Sequence, residues 1–458
     1  MEEPTPTLTE LKEMTILDGP AVEKIMDGFL SAFNNGLTTN HFTMIPSYVS
    51  RLPTGIEVGT YLALELSDTY LRAAVVTLIG LGKTDIEHKQ HEIPAELKNG
   101  NVGDLFDWVA LNVKELLNDV GYELETKDLY AGINFGFPIK QTAINRCIAM
   151  PIGNGLNLMG LEGHNIVELL QAAFVRKVQL KNMNVKVNVT AIANDTVGTL
   201  VANAYSDQNT IISVVLGTGT NAACICTTSS ITKAKFPSNA PDCMIMNTEW
   251  NLMGIEFLPF IKYDRILDLQ SPFPKLKSFE KMVSGFYLGE LVRLTIVDFV
   301  KTYNLFGGFL PGGMEIPYSF SILQMTEIES DRSSDAKEIL NVLLKGFKFP
   351  DQKKPTKKDM RIISEIVKIY STRSAKLSAA AIGSLIKFQC PDFPLVERDV
   401  IVAIDGSMYH KYHKYSSRMS EYLRDIQHIA EDKRTKLSDI EYGGFIGIAI
   451  IAMMYSQY

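Results

Sequence analysis

Two stretches of this chain repeat one device, and that repetition constrains the fold more than any other feature. Tyr61–Leu78 and Thr210–Cys226 each read as a β-hairpin, two strands of apolar and β-branched residues joined by a tight turn. The turns are Glu65-Leu66-Ser67-Asp68-Thr69-Tyr70 in the first and Leu216-Gly217-Thr218-Gly219-Thr220-Asn221 in the second. Gly217 and Gly219 free the second turn of Cβ atoms, so its backbone N–H groups can approach an anion such as a phosphate. The first turn holds Ser67 and Asp68 instead, with side-chain bulk and a carboxylate. Two α/β blocks that each open with such a hairpin predict a duplicated fold of two lobes with a central cleft.

The remaining pattern fits two such blocks. Residues 8–35 read as helical, with Leu8, Leu11, Ile16, Val22, Ile25 and Phe29 spaced mostly three or four apart. A helix is predicted over Asp104–Val120, then a strand over Leu129–Phe135 leading into the Gly136-Phe137-Pro138 turn. A helix over His164–Val178 precedes a strand over Val185–Ile192, which stops at Asn194-Asp195. Beyond the second hairpin the chain reads as helical over Ser278–Val300 and Thr356–Phe388, with residues 305–330 irregular. A last strand, Asp399–Ile404, ends in Asp405-Gly406-Ser407, and an apolar helix closes the chain after Tyr442-Gly443-Gly444.

Composition excludes several classes of function. A net charge of −7 over 458 residues gives no support to nucleic-acid binding. The one basic cluster, Lys353-Lys354-Pro355-Thr356-Lys357-Lys358, reads as a solvated loop. The five cysteines are odd in number and lack C-x-x-C spacing, which predicts reduced thiols and neither a disulfide framework nor a zinc site. No apolar run reaches membrane-spanning length, Gly447–Tyr455 being too short, so no membrane partner is expected. The acidic, polar start is no secretory or transit signal. These features predict a cytoplasmic protein.

The motifs together resemble the hexokinase family, the fungal hexokinase–glucokinase branch most closely. The resemblance covers almost the whole chain, from Met44-Ile45-Pro46-Ser47-Tyr48-Val49 and Leu52-Pro53-Thr54-Gly55 to the C-terminal glycine turn. Its most specific stretches are Asn194-Asp195-Thr196-Val197-Gly198-Thr199, Leu216-Gly217-Thr218-Gly219, and Asn247-Thr248-Glu249-Trp250. Phe279-Glu280-Lys281-Met282 running into Ser284–Leu291 belongs with them, as does Ala403-Ile404-Asp405-Gly406-Ser407. The family implies an α/β fold of the actin-like ATPase (ribonuclease H-like) kind, duplicated, whose lobes close over a hexose with Mg-ATP on the other side of the cleft. We expect residues 1–58 and 195–440 in a large lobe, and 59–194 and 441–458 in a small one.

Carried over residue by residue, the resemblance makes Asp195 the base that takes the proton from the attacking sugar hydroxyl. Asn194, Asn221, Glu249 and Glu280 match family sugar contacts. Gly217, Thr218, Gly219, Gly406, Ser407 and Arg72 match nucleotide contacts. No metal cage of protein ligands is implied.

Other positions depart from the family. Its Ser-Phe-Pro turn reads Gly136-Phe137-Pro138, and its Thr-Lys pair aligns with Gly153-Asn154, removing two hydroxyls and a cation from the sugar site. Each lost hydrogen bond that strands a partner costs about 1–3 kcal/mol. Its Asp-Leu-Gly-Gly-Thr-Asn phosphate turn reads Glu65-Leu66-Ser67-Asp68-Thr69-Tyr70, so Glu65, Ser67, Asp68 and Thr69 form an altered loop. At an effective dielectric near 20, like charges 4 Å apart repel by about 4 kcal/mol, which sets Asp68 against the phosphates of ATP. The acidic-Gly-Ser-Gly turn reads Tyr442-Gly443-Gly444-Phe445.

Three functions compete on these residues: a working hexose or glucosamine-type kinase, a catalytically impaired member that binds sugar or a regulatory protein partner, and a ligand-free interaction platform. Loss concentrated at ligand contacts on an intact scaffold favours the second. Retention of Asn194, Asp195, Glu249 and Glu280 opposes the third.

Overall fold

The computed structural model describes residues 3–40, 42–122, 127–137, 139–150, 158–179, 185–390, 399–426 and 435–456. Among them are thirteen strands: β1 Ile45–Pro46, β2 Val58–Leu66, β3 Tyr70–Gly80, β4 Lys83–Glu92, β5 Leu129–Phe135, β6 Ile139–Ala143, β7 Arg146–Ala149, β8 Val187–Ala193, β9 Thr210–Leu216, β10 Thr220–Thr227, β11 Cys243–Asn247, β12 Val400–Asp405 and β13 Thr435–Asp439. They form two large mixed sheets and the β6–β7 ribbon.

The first sheet runs β4-β3-β2-β5-β8 and the second β1-β11-β10-β9-β12-β13. In the first, β2 pairs antiparallel with β3, β3 antiparallel with β4, β2 parallel with β5 and β5 parallel with β8. In the second, β9 pairs antiparallel with β10, β10 antiparallel with β11, β9 parallel with β12 and β12 parallel with β13. The five strands of the first order correspond one for one to β11-β10-β9-β12-β13 of the second, β1 being an addition at its edge, with β2–β3 and β9–β10 as equivalent hairpins. This is the duplicated, actin-like arrangement that the sequence implies.

Sequence explains the layering. The central strands are covered on both faces, so Leu62-Ala63-Leu64 and Ile212-Ser213-Val214 read as runs of buried residues with no exposed partner between them. Edge strand β4, Lys-Thr-Asp-Ile-Glu-His-Lys-Gln-His-Glu, is charged and half-exposed throughout, which discourages pairing with another chain. One face of the first sheet carries the helices Val102–Asp119 and Ile166–Phe174. Its other face meets the wholly apolar helix Gly443–Met454. The second sheet is packed by the helix Asp195–Ser206 and, on its far side, by the 33-residue helix Lys357–Gln389 and its neighbours.

The helices Asp195–Ser206 and Gly443–Met454 cross between the sheets, and glycine sets their separation. A Cβ on Gly447 would stand 1.8 Å from the carbonyl oxygen of Gly198. One on Gly198 would stand 2.9 Å from the carbonyl oxygen of Gly444.

Several local expectations need correction. The predicted helix over 8–35 is two, Leu8–Met14 and Gly19–Thr38, because Asp18 caps a new start with Pro20 in its first turn. Ser278–Val300 likewise divides at the extended residue Ser284 into Ser278–Val283 and Gly285–Tyr303. Within the expected irregular stretch 305–330 lies the helix Ile322–Ser330, started by a Ser321–Gln324 capping box. Asp399–Ile404 does not hold the last strand, since β13 pairs beside β12. β4 has too many charges to register as a strand by hydrophobic alternation.

Candidate active site

Asn194 and Asp195 sit where β8 gives way to a helix. Asn194 is its N-cap, the side-chain oxygen accepting the Thr196 N–H at 3.0 Å and the Thr196 hydroxyl at 2.6 Å. Asp195 follows, its Oδ1 accepting the same Thr196 N–H at 2.8 Å. Burial pushes its carboxyl up to about 7, with further upward pressure from the charges of Glu65, Glu249 and Asp405 against the downward pull of the Thr196 N–H. The residue nevertheless keeps partial solvent exposure. A carboxyl that loses its proton near neutral pH is matched to accepting one from a hydroxyl.

A chain of amides runs from Asn194, beside Asp195, to the carboxylate of Glu249. Asn221 Nδ2 donates to Asn194 Oδ1 at 3.3 Å and to Asn247 Oδ1 at 2.8 Å. Asn247 Nδ2 donates to Glu249 Oε1 at 2.7 Å, and Asn251 Nδ2 to Glu249 Oε2 at 2.9 Å. Glu249 holds a left-handed backbone, φ +49°, a conformation that costs about 1–2 kcal/mol. Burial raises its carboxyl above the usual range against those two amides; Glu280 pushes the same way and Lys277 opposes. Glu280 is buried, its Oε2 accepting the Thr220 N–H at 3.2 Å and its Oε1 the Lys277 ammonium at 3.1 Å. The indole N–H of Trp250 donates to Thr220 Oγ1 at 3.0 Å, fixing the neighbouring turn.

The Gly217-Thr218-Gly219 turn lies against Glu280 on one side and Ser407 on the other. Neither glycine has a left-handed φ, so their role is space. A Cβ on Gly219 would lie 2.8 Å from Glu280 Oε2, and one on Gly217 3.5 Å from the Ser407 nitrogen. The carbonyls of Gly217 and Thr218 accept the N–H groups of Gly285 and Phe286 at 2.9 and 3.2 Å, anchoring the turn to a helix start. Gly406 does require glycine: its φ is +114° and a Cβ would stand 2.3 Å from the Leu216 carbonyl oxygen. Asp405 accepts the Gly443 N–H at 3.1 Å, joining this corner to the start of the C-terminal helix.

The first turn is organised differently. Ser67 Oγ accepts the N–H of Tyr70 at 3.0 Å and of Thr69 at 3.2 Å, a serine turn that uses two donors an anion would need. Ser67 and Asp68 both keep negative φ, so replacing glycine costs no backbone strain here. Asp68 is exposed at the tip with Thr69. Glu65 accepts the Tyr70 hydroxyl at 2.9 Å and Arg72 Nη1 at 3.3 Å, while Arg72 stacks over the Tyr70 ring at 4.4 Å and donates to Gln90 at 2.7 Å. Burial first, and the charge of Glu65 next, hold the Tyr70 hydroxyl well above its ordinary range, so it stays a donor.

Gly136 follows β5, its N–H donating to the Leu66 carbonyl at 3.0 Å. Its neighbour Asn134 is buried and donates to the Gly444 carbonyl at 2.9 Å, while its Oδ1 has no partner. Gly153 and Asn154 lie outside the described residues. The structure therefore gathers Asn194, Asp195, Asn221, Glu249 and Glu280 into one network, with the Gly219 turn at its side. Sequence reasoning missed Tyr70, Asn247, Asn251 and Lys277. Lys277 had a signal, since it precedes Glu280 by three residues at a helix start. A separate cavity of about 480 Å³, lined by Leu17, Val22, Lys376 and Tyr422 among others, shares no residue with this network.

Comparison with known proteins agrees with this arrangement. Two hexokinase family models match, over residues 7–205 and 211–454. The chain is 32% identical to Hexokinase-1 of Schizosaccharomyces pombe, covering 98% of this chain and 91% of that one. It is 30% identical to Hexokinase-2 of Candida albicans, over the same shares. Among solved structures, a Schistosoma mansoni hexokinase complexed with glucose superposes with a TM-score of 0.81 at 29% identity, covering 98% of both chains. With two matching models that together reach from residue 7 to residue 454, and a shared duplicated fold, this chain belongs to the hexokinase family.

Proposed function

We propose that this protein binds a hexose in the cleft and transfers phosphate from Mg-ATP weakly or not at all, serving as a sugar-binding regulator. Residues 1–58 with 195–440 form the large lobe of this reading, and 59–194 with 441–458 the small one. Asn194, Asp195, Asn221, Glu249 and Glu280 hold the sugar hydroxyls; Gly217, Thr218, Gly219, Gly406 and Ser407 cradle the nucleotide. Glucose in the S. mansoni relative supports hexose as the ligand class. The observation that carries the reading is Ser67, whose hydroxyl already takes the N–H groups of Thr69 and Tyr70. A phosphate entering the first turn must displace it and must face Asp68.

Mg²⁺ would enter with the nucleotide phosphates and neutralise their charge. Among the described residues no three His, Cys, Asp or Glu side chains gather to hold a metal. Glu65, the carboxylate at the family's acidic position, is occupied by Tyr70 and Arg72. Among those residues no helix is long and apolar enough to cross a membrane, and none of the five cysteines is in a disulfide, which favours a reducing compartment.

One observation favours the active alternative, an ATP-dependent hexokinase acting on the 6-hydroxyl of glucose or a related hexose. Asp195 is poised near pH 7 in an ordered amide network. The deciding experiment measures sugar-dependent ADP release across a panel of hexoses, with Asp195→Ala as background, beside a titration of Trp250 fluorescence. A sugar-induced fluorescence change with background turnover supports the regulator. Strong Asp195-dependent turnover overturns it in favour of the kinase. No response in either overturns both.

A further inference from the structure

The cavity of about 480 Å³ outside the sugar network has a smaller neighbour of about 200 Å³. The two share Leu17, Lys376 and Tyr422 but differ in charge. The larger sets Asp18, Glu23, Asp27 and Asp425 against Lys376 and Lys387, and Lys387 already pairs with Asp27 at 3.5 Å. The smaller sets Lys12, Lys368 and Lys376 against Glu365 alone. Its guanidinium, Arg373, is matched by Asp264, which accepts Nη1 at 2.8 Å and Nη2 at 2.7 Å. Three ammoniums facing one carboxylate leave two positive charges in excess. A phosphate monoester carries about −1.5 to −2 at neutral pH. We propose that the smaller cavity binds a small phosphate monoester with an apolar or aromatic body, at a site separate from the sugar network.

Three helices build this site. Lys368, Thr372 and Lys376 lie at i, i+4 and i+8 along Lys357–Gln389, so they share one face. Lys12 comes from the last turn of Leu8–Met14, whose end Thr15 secures by donating its hydroxyl to the carbonyls of Leu11 and Lys12, 2.9 Å from each. Tyr422 comes from Tyr415–Asp425, and the Lys376 ammonium stands 5.1 Å from its ring centroid. Among the described residues Lys12, Lys368 and Lys376 enter no ion pair, so their charge is available to a ligand. Arg373 adds a buried Nε that has no hydrogen-bond partner. No other residue lining either cavity carries a buried polar atom in that state. A buried donor left over in this way calls for an acceptor from outside the chain.

The cavity also has an apolar side. Leu17 and Ile369 are buried there, with Ile16 and the Tyr422 ring beside them. Ammoniums from two separate helices meet a phosphate as point charges from different directions, while the ring and the aliphatic side chains receive the ester's body. The volume lies below the roughly 300–1,000 Å³ of drug-sized sites, which limits the ligand to a small molecule. The larger cavity, rich in carboxylates, repels the same anion.

Binding of phenyl phosphate, inorganic phosphate and phenol to the full chain is measured by titration calorimetry in a phosphate-free buffer of low ionic strength. Phenyl phosphate is expected to bind about tenfold more tightly than either of the others, and to weaken as salt is added. Lys12→Gln, Lys368→Gln and Lys376→Gln are each expected to weaken it about 3–10-fold, the scale of a part-exposed charge pair. Lys368→Arg, which keeps the charge, is expected to retain it. Lys12 and Lys368 are exposed, so their replacement leaves the fold intact. Phenyl phosphate held at the nucleotide turns would not respond to these variants. Absence of binding to wild type, or binding that none of the three glutamine variants weakens, overturns the site. Inorganic phosphate bound as tightly as phenyl phosphate overturns the ester in favour of the free anion. Phenol bound as tightly overturns the phosphate.

Discussion

The hydroxyl of Ser67 stands 3.0 Å from the backbone nitrogen of Tyr70 and accepts its hydrogen. At the equivalent position of the second hairpin stands Gly217, which has no side chain to do this. Two hairpins of one topology have thus diverged at their tips: one presents bare backbone, the other consumes its own donors. Backbone strain does not enter, because Ser67 and Asp68 keep negative φ.

Removing the Ser67 hydroxyl should therefore free donors without disturbing the turn. Ser67→Ala is expected to tighten ATP binding about 3–10-fold, the scale of one or two net hydrogen bonds. Adding Asp68→Gly should tighten it further, by a modest factor because Asp68 is exposed and its charge is screened. Equilibrium titration with a fluorescent ATP analogue reads both. Unchanged affinity in the double variant would refute the self-occupied turn as the obstacle.

Asp195 makes a pH prediction. Its folded carboxyl titrates at about 7, well above the ordinary aspartate value, so the folded state holds a proton that the unfolded chain has released. The stability this contributes is complete below the ordinary aspartate range and is lost as pH rises through about 7. Asp195→Asn should thus stabilise the protein more at pH 8 than at pH 5, by about 1–3 kcal/mol after allowing for water at the cleft. Any sugar phosphorylation should rise with pH through the same value, where the base becomes free to act. Urea melts at the two pH values test the first statement; equal stabilisation at both contradicts it.

Glu65 supplies part of that shift, which separates its role from that of a nucleotide ligand. Glu65→Gln removes a charge that raises Asp195 and should move the Asp195 titration downward. Carbon-detected NMR of labelled aspartate carboxyls can follow it. An Asp195 titration left in place would mean that burial alone sets its value.

The two sheets were legible in sequence because buried central strands leave continuous apolar runs, and so were Asp195 and its neighbours, which sit in contiguous motifs. What escaped depends on non-local geometry. β4 hides behind the charges that protect an edge. Tyr70 reads as a lost asparagine, and only the folded hairpin shows its hydroxyl reaching Glu65 and its ring under Arg72. Gly217 and Gly219 were legible as positions that need to lack a Cβ, and only the fold shows that Glu280 and Ser407 are what stands against them. Ser67 was legible as bulk but not as an acceptor, although serine opening a four-residue turn is a known local bond former.

The helix crossing makes a stability prediction. Gly447→Ala forces a methyl to within 1.8 Å of the Gly198 carbonyl oxygen unless the helices part. Overpacking against rigid backbone at a buried site should cost about 3 kcal/mol or more. The same substitution at Gly121, where nothing lies within 4 Å, tests positive φ alone and should cost less. Chemical denaturation of the two variants measures the difference. Similar losses would show that the crossing can separate, in which case Gly447 does not fix the approach of the two sheets.

Gly136 offers a gain. A Cβ there would lie 3.2 Å from the Leu66 carbonyl oxygen and 3.7 Å from the Ser67 Cα, tight but not impossible, and the backbone φ is not left-handed. Gly136→Ser therefore asks Leu66 to give by a few tenths of an ångström in return for a hydroxyl at the family's serine position. If the sugar site retains its large-lobe half, that hydroxyl adds one hydrogen bond to a bound hexose and should tighten binding about 2–10-fold. Trp250, buried beside Glu249 and bonded to Thr220, reports the binding by fluorescence. Tighter binding with unchanged ADP release would separate the two deficits: sugar affinity set by the Gly136 turn, phosphoryl transfer by the Ser67 turn. Weaker binding would mean that the Leu66 carbonyl cannot yield and that the chain has reshaped this turn around the missing side chain.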